Sequence, residues 1–462
     1  MKSWESPFEC ESAGAAGSAM ADSGSSEGIH LDAFNIFDPE VQQCPHMYYA
    51  LMREETAAYE TRAMGGSLFL ITRQEDVAEA ALNHAHFSSR FDIGSMDGDS
   101  EYSRRLKKLY EDEGGYEPVG TMLTVDPPVH TRYRRLVAQA FTPRAIANME
   151  PVVRELASEL MDNLIEITSD GVSVDFVEAF AIPLPVRAIA KALNVPDDRL
   201  GDFKRWSDAS VAGIGTNISI EERLGAQREV IEFQKYFADQ LEERRSEPQD
   251  DILTALVNAT VEKDTSGVDS QFEGVPLNVS EMLSIIQQIL VAGNQTTTHL
   301  LGEMFRLLAE NPNEWESLRS HPERGGDVAE EALRLAAPTQ GMFRIATEDM
   351  TMGSKFIPAG SRMVLMYAAA NRDPDVWTNP DAFEPGRVNK AAHLSFGRGP
   401  HFCVGAGLAR LETRIVAEEM SRKLQTIEVT NAEHLRYQPS FVVRGLERLD
   451  VTVTPKEVVG RG

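Results

Sequence analysis

Apolar residues recur every three or four positions in "VQQCPHMYYALMREE", "AIANMEPVVRELASELMDNLIEI" and "RLGAQREVIEFQKYFADQLEERR". This is the period of amphipathic helices laid on a core. Between them, "GGSLFLITR", "GMFRIATEDMTMGSKFIPAGSRMVLMYA" and "VVRGLERLDVTVTP" set branched and aromatic residues among Gly, Pro and Asp, which predicts strands and turns. The expected class is mainly α with small β sheets. No repeat is present, and no Pro/Gly/Ser linker follows residue 30. One domain is therefore expected over residues 31–462, after a disordered, small and polar extension at 1–30.

The longest apolar run, "VSEMLSIIQQILVAGNQTTTHLLGEMFRLLAE", lies between Pro276 and Pro312. About 32 residues at roughly 1.5 Å each would span nearly 50 Å, the width of a domain. Glu281, Gln287, Gln288, Asn294, Gln295, His299 and Glu303 interrupt it too often for lipid, so it reads as a central buried helix. Gly293 and the run Thr296, Thr297, Thr298 are poor helix formers, and a local distortion is expected there. "RRLKKLYEDEGGYEPVG" reads as a charged surface excursion, with a mobile lid as the alternative.

Composition narrows the partners. A chain of 462 residues, 42% hydrophobic, can bury a large core. Its 72 acidic and 45 basic residues give a net charge of −27, which disfavours nucleic acid and anionic membrane. The first thirty residues lack a basic start followed by an apolar core, so a cytoplasmic protein is expected. Three cysteines, Cys10, Cys44 and Cys403, make an odd set without paired spacing, which argues against a disulfide framework.

Cys403 sits in "HLSFGRGPHFCVGAG". There is no C-x-x-C for zinc, and "GRGPHF" and "GAGLAR" each lack the third glycine of a dinucleotide loop. The cysteine precedes the amphipathic segment "GAGLARLETRIVAEEMSRKL", whose free N–H groups would favour a thiolate. Glycines at 397, 399 and 405 would let backbone approach a flat cofactor closely. A single thiolate so presented suits one axial bond to haem iron.

With these residues the chain resembles the cytochrome P-450 family, the haem-thiolate monooxygenases. The family's loop F-G-x-G-x-H-x-C-x-G is matched by Phe396, Gly397, Gly399, His401, Cys403 and Gly405. "EEALR" is similar to its E-x-x-R helix, with Glu331 and Arg334, and "FEPGR" supplies Arg387. The resemblance extends from about residue 40 to residue 454. It implies a single triangular domain, mainly α, and haem b (iron protoporphyrin IX) ligated by Cys403. It further implies a structural network of Glu331, Arg334 and Arg387. Haem carboxylates would be held by His130 and Arg134 of "DPPVHTRYRRLVAQAFTPR", by Arg344 and by His401, with Phe396 and Gly405 beside the ring.

The family's oxygen-activation motif corresponds to "AGNQT", in which Thr296 is the alcohol and Gln295 stands where an acid is usual. An amide orients water but does not titrate. The resemblance implies hydroxylation of a hydrophobic small molecule with O2, by a monomer. This chain carries no flavin, iron-sulfur or nicotinamide motif, so electrons from NAD(P)H would arrive through a separate ferredoxin and ferredoxin reductase. Expected pocket residues are Gln288, Val291, Ala292, Gly341, Met342 and Val443, with the region 85–122. Arg132, Arg135, Arg398 and Arg410 are the expected docking face for an acidic ferredoxin. The alternatives are a peroxygenase, an isomerase or dehydratase on the same haem, or a haem-binding sensor without turnover.

Overall fold

The computed structural model describes residues 30–91, 100–213, 218–260 and 274–457; the side chains of Ala33 and Gln139 are not described. The proposed N-terminal extension and residues 92–99 of the expected variable region lie outside them. Helices dominate, as the periodicity predicts. The central helix runs Val279–Glu310 and is opened by a capping box, in which Asn278 and Glu281 satisfy each other's backbone N–H. Ile220–Ser246 starts with a second capping box, on Ser219 and Glu222. Pro143–Ile167 begins on the Thr142 hydroxyl, which accepts from Ala145 N.

Three segments add local detail. The "VQQCPHMYYALMREE" segment forms two helices, Pro39–Gln43 and His46–Glu55, because Pro45 cannot donate to the helix before it. The central helix continues through its threonines, where the Thr296 hydroxyl donates to Ala292 O at 2.8 Å, the back-bond by which such residues bend a helix. "RRLKKLYEDEGG" is not a loop but the helix Glu101–Glu113, capped by Ser100 and ended by Gly114 at φ 70°. Its Leu109 and Tyr110 pack on Leu224 and Ile231, and Arg105 pairs with Glu221 at 2.6 Å.

The main sheet has five strands in the order Ala58–Ala63, Gly66–Ile71, Arg362–Leu365, Met342–Ala346, Phe87–Ser88. Arg344 lies opposite Met363 in an antiparallel pair. A second sheet joins Val174–Asp175, Asp450–Pro455 and Leu424–Val429, and a hairpin joins Met350–Met352 to Lys355–Ile357. The helix Ala406–Lys423 packs on Gly325–Ala336, Pro143–Ile167 and the central helix, burying Leu408, Leu411, Ile415 and Val416. No helix among the described residues is long and apolar enough to cross a membrane. Cys44 is disulfide-bonded, which the reading against a disulfide framework did not anticipate, and Cys403 is the free cysteine among the described residues.

Candidate functional site

Two glycines fold the loop around Cys403 by taking backbone angles that side chains avoid: Gly397 at φ 66° and Gly399 at φ 71°. A Cβ on Gly399 would lie 2.7 Å from Ala81 O, so the loop is pressed against the helix Gln74–Leu82. Cys403 N donates to Phe396 O at 2.9 Å and Gly397 N to Leu394 O at 2.8 Å, closing the loop on itself. Leu394 N in turn donates to Asn371 Oδ1 at 2.6 Å, and the Asn371 amide donates to Arg334 O and Ser395 Oγ. Asn371 thus pins the loop to the E-x-x-R helix. It opens the string "NRDPD", in which nothing marks its partner.

The sulfur faces backbone N–H groups of Gly405 and Ala406 at the start of Ala406–Lys423, as expected. Burial nevertheless prevails and pushes the thiol up, against these amides and the charge of Arg134. The helix end alone does not make a thiolate here; a cation bonded to sulfur would. Among the described residues no group of three or more His, Cys, Asp or Glu could hold a metal ion. A metal at Cys403 would therefore take its other ligands from a cofactor.

Nitrogen donors gather beside this loop. The rings of His130 and His401 are 4.3 Å apart. Burial first, then Arg134, lowers His130 to about 4; burial first, then His130 and Arg344, lowers His401 to about 3. Both rings are neutral at physiological pH. His401 Nε2 is buried without a partner, Arg134 is half-buried with no ion pair among the described residues, and burial lowers it. Arg344 is buried, donates to Phe343 O at 2.7 Å and hydrogen-bonds Tyr367. The nearby acid, Asp126, is occupied by Ser88 and by Ser89 N. This donor surplus lacks an anion of matching size, and a planar macrocycle with peripheral carboxylates fits it.

The same loop connects to the central helix. His401 bonds the backbone of Met122, and the neighbouring Thr121 accepts from the Gln288 amide at 2.5 Å. Gln288, Ala292 and Thr296 follow at intervals of four, one stripe of the helix. Ala292 is exposed and Gln288, Val291, Gln295 and Thr296 half-buried, whereas most of the helix is buried. Met342 and Val443 are also half-buried. Gly341 is a different case. It is buried, and a Cβ there would meet Val364 at 2.7 Å and Leu365 O at 2.8 Å, so its role is close packing against the neighbouring strand.

Glu331 and Arg334 are wholly buried and Arg387 nearly so. Glu331 accepts from Arg334 Nε at 2.9 Å and Nη2 at 2.8 Å, from Arg387 Nε at 2.8 Å and from Glu384 N at 3.0 Å. Arg334 also donates to the carbonyls of Asn371, Pro380 and Ala382, and its guanidinium lies over Trp377. All five of its donors are used.

The expected docking arginines do not form one face. Arg132 is buried and paired with Glu281 at 2.6 Å, while Tyr133 donates to the same oxygen. It sits on the inner side of Val129–Ala138, a side the charge pattern could not distinguish. Arg410 is held by Glu330 at 2.5 Å and covers the Phe396 ring. Arg135 and Arg398 are exposed. Sequence reading also passed over Glu412, which is 2% exposed; its signal was a lone acid in the apolar register "LARLETRIV".

Comparison with known proteins gives a consistent answer. Residues 327–442 match the family model described as Cytochrome P-450. The chain is 34% identical to cytochrome P-450 107B1 of Saccharopolyspora erythraea, over 90% of this chain and 96% of that protein. It is 34% identical to 6-deoxyerythronolide B hydroxylase of the same organism, over 87% and 94%. Among solved structures, that of cytochrome P-450 CYP109Q5 from Chondromyces apiculatus superposes with a TM-score of 0.76 at 32% identity, covering 91% of this chain and 98% of that one.

Proposed function

Since the chain belongs to the cytochrome P-450 family, whose members are haem monooxygenases, we propose that it hydroxylates a hydrophobic small molecule with O2 and electrons from a separate ferredoxin and reductase. The observation that carries this reading is the set of unpaired donors around Cys403: the buried His401 Nε2 and half-buried Arg134 beside His130 and Arg344. In this reading Cys403 Sγ would bind the haem iron, and His130, Arg134, Arg344 and His401 would hold the haem carboxylates. The bound haem supplies oxygen activation.

The remaining work falls to the chain. The Gln288–Thr121 bond ties the residue 116–124 segment to the central helix and helps shut water out. Val291, Ala292, Met342 and Val443 offer an apolar surface to the substrate. Thr296 holds its hydroxyl proton on Ala292 O and can redirect it toward the site. Gln295 orders water without titrating. Arg135 and Arg398 remain as docking candidates for an acidic electron donor. Relatives named 6-deoxyerythronolide B hydroxylase, linalool 8-monooxygenase and vitamin D(3) 25-hydroxylase support hydroxylation, and the reaction would take place in the cytoplasm.

Turnover of a spin-shifting ligand under labelled O2, with a reconstituted NADPH, reductase and ferredoxin system, tests the proposal. Label in the product supports it. Product from hydrogen peroxide alone, and none from the reconstituted system, would favour the peroxygenase reading, for which Gln295 is the specific observation.

A further inference from the structure

His299 lies one turn beyond Thr296 on the central helix, continuing the stripe of Gln288, Ala292 and Thr296. It is 4% exposed, and neither ring nitrogen has a hydrogen-bond partner. Burial lowers it to about 4, so the ring is neutral at physiological pH. What the ring does touch is Gly445. A Cβ on Gly445 would fall 1.8 Å from His299 Nδ1, 2.0 Å from Cγ and 2.4 Å from Cε1, so the imidazole occupies the space of a side chain there. Gly445 does not take the left-handed angle of Gly397 and Gly399. Close approach of the ring, not backbone conformation, therefore calls for glycine at this position.

The turn before Gly445 is laced to the segment that leads into Met342–Ala346. Val443 bridges Thr339 in antiparallel fashion, Gln340 N donates to Val442 O at 2.8 Å and Arg444 N to Pro338 O at 2.8 Å. The Arg444 side chain anchors the same turn to Gln42 O at 2.5 Å and Gln43 O at 2.8 Å. Residues 442–445 and 338–344 thus form one unit, which carries Val443 and Met342, while the central helix carries Gln288, Val291 and Ala292 opposite. We propose that His299 is a spacer that sets the width of the substrate pocket: its ring, seated on Gly445, fixes the distance between the central helix and the unit bearing Met342 and Val443, and so selects ligands by girth. This role rests on the haem-pocket reading above. His299 is a positioning residue, because it acts on substrate through the turn. A side chain on Gly445 would push the turn off the ring and widen the pocket, and trimming the ring would make room for that side chain.

Titration of haem-loaded protein with imidazole and with clotrimazole, each read by the absorbance shift of a nitrogen binding iron, tests the spacer. Imidazole is small and serves as the reference; clotrimazole bears a bulky triaryl carbon and reports the width. Gly445→Ala should raise the affinity for clotrimazole relative to imidazole about tenfold, the scale of one methyl group in an apolar pocket. Adding His299→Ala should return the ratio to within about twofold of wild type, because the two substitutions compensate. His299→Leu, which keeps the bulk and lacks the nitrogens, should match wild type. A ratio unchanged by Gly445→Ala, or not returned by the second substitution, or moved as far by His299→Leu, overturns the proposal. If Gly445→Ala alone takes up no haem, the double variant should take it up, and failure of both overturns the proposal as well. Absence of any imidazole shift in haem-loaded wild type would remove the haem-pocket reading, and the spacer role with it.

Discussion

Glu331 and Glu412 are two carboxyls on helices packed against each other, both withdrawn from water. Glu331 lies between two guanidinium groups and a backbone N–H, whereas Glu412 has one threonine. The first is held by donors on every side and braces the segment leading to the cysteine loop. The second is built to stay neutral. Similar burial has different chemical consequences because the inventory of partners differs: one carboxyl is locked into an ion-paired brace, and the other is pushed up by burial with a single hydroxyl beside it.

The sharpest way to break that contrast is to remove the braced acid. Glu331→Ala strands two buried guanidinium groups and should cost about 3–5 kcal/mol, seen as loss of haem incorporation or a large fall in melting temperature. A melting temperature equal to wild type would place the pair with surface ion pairs worth under about 1 kcal/mol.

Glu412 should act next, with a definite sign. Its folded pKa, about 8, lies above the ordinary glutamate value of 4.5. Between those values the folded state holds a proton that the unfolded state has released, so stability falls as pH rises through that window. Glu412→Gln should flatten the decline by a few kcal/mol between acid and mildly alkaline pH, measured by denaturant unfolding at several pH values. Identical pH profiles for variant and wild type would mean that Glu412 is ionised in the folded protein.

Smaller effects concern turnover and docking. Gln295→Glu places a titratable group beside Thr296 and should raise the fraction of electrons reaching product, and Thr296→Ala should divert electrons to hydrogen peroxide. If water ordered by Gln295 already delivers protons, Gln295→Glu adds only the desolvation of a carboxyl and lowers the rate. Arg398→Glu should weaken ferredoxin-supported kcat/KM most at low salt while leaving the melting temperature unchanged, because Arg398 is exposed. Arg132→Glu should instead destabilise the protein, since Arg132 anchors Glu281.

Most of the helical fold was legible because long amphipathic periods leave few alternatives, and the loop around Cys403 was legible because its glycines are required by backbone angles. What escaped the sequence depended on sides and partners. "RRLKK" hid Leu106, Leu109 and Tyr110 at helical spacing among its charges. The face of Val129–Ala138 that meets Glu281 could not be read from a stripe of arginines, so Arg132 was placed outside when it lies inside. The threonine run suggested a local distortion, and the central helix stays helical through it because packing on both sides outweighs local propensity. Glu412 passed as one more charged residue on a helix, because a lone acid reveals its character only when its neighbours are known.

The central claim is that the donors around Cys403 hold a haem through that sulfur. The reduced carbon monoxide complex of wild type and Cys403→Ser, prepared with equal haem loading, tests it most directly. A thiolate-type absorption band in wild type that is lost in Cys403→Ser is the predicted result; the same thiolate-type band in both proteins would contradict it.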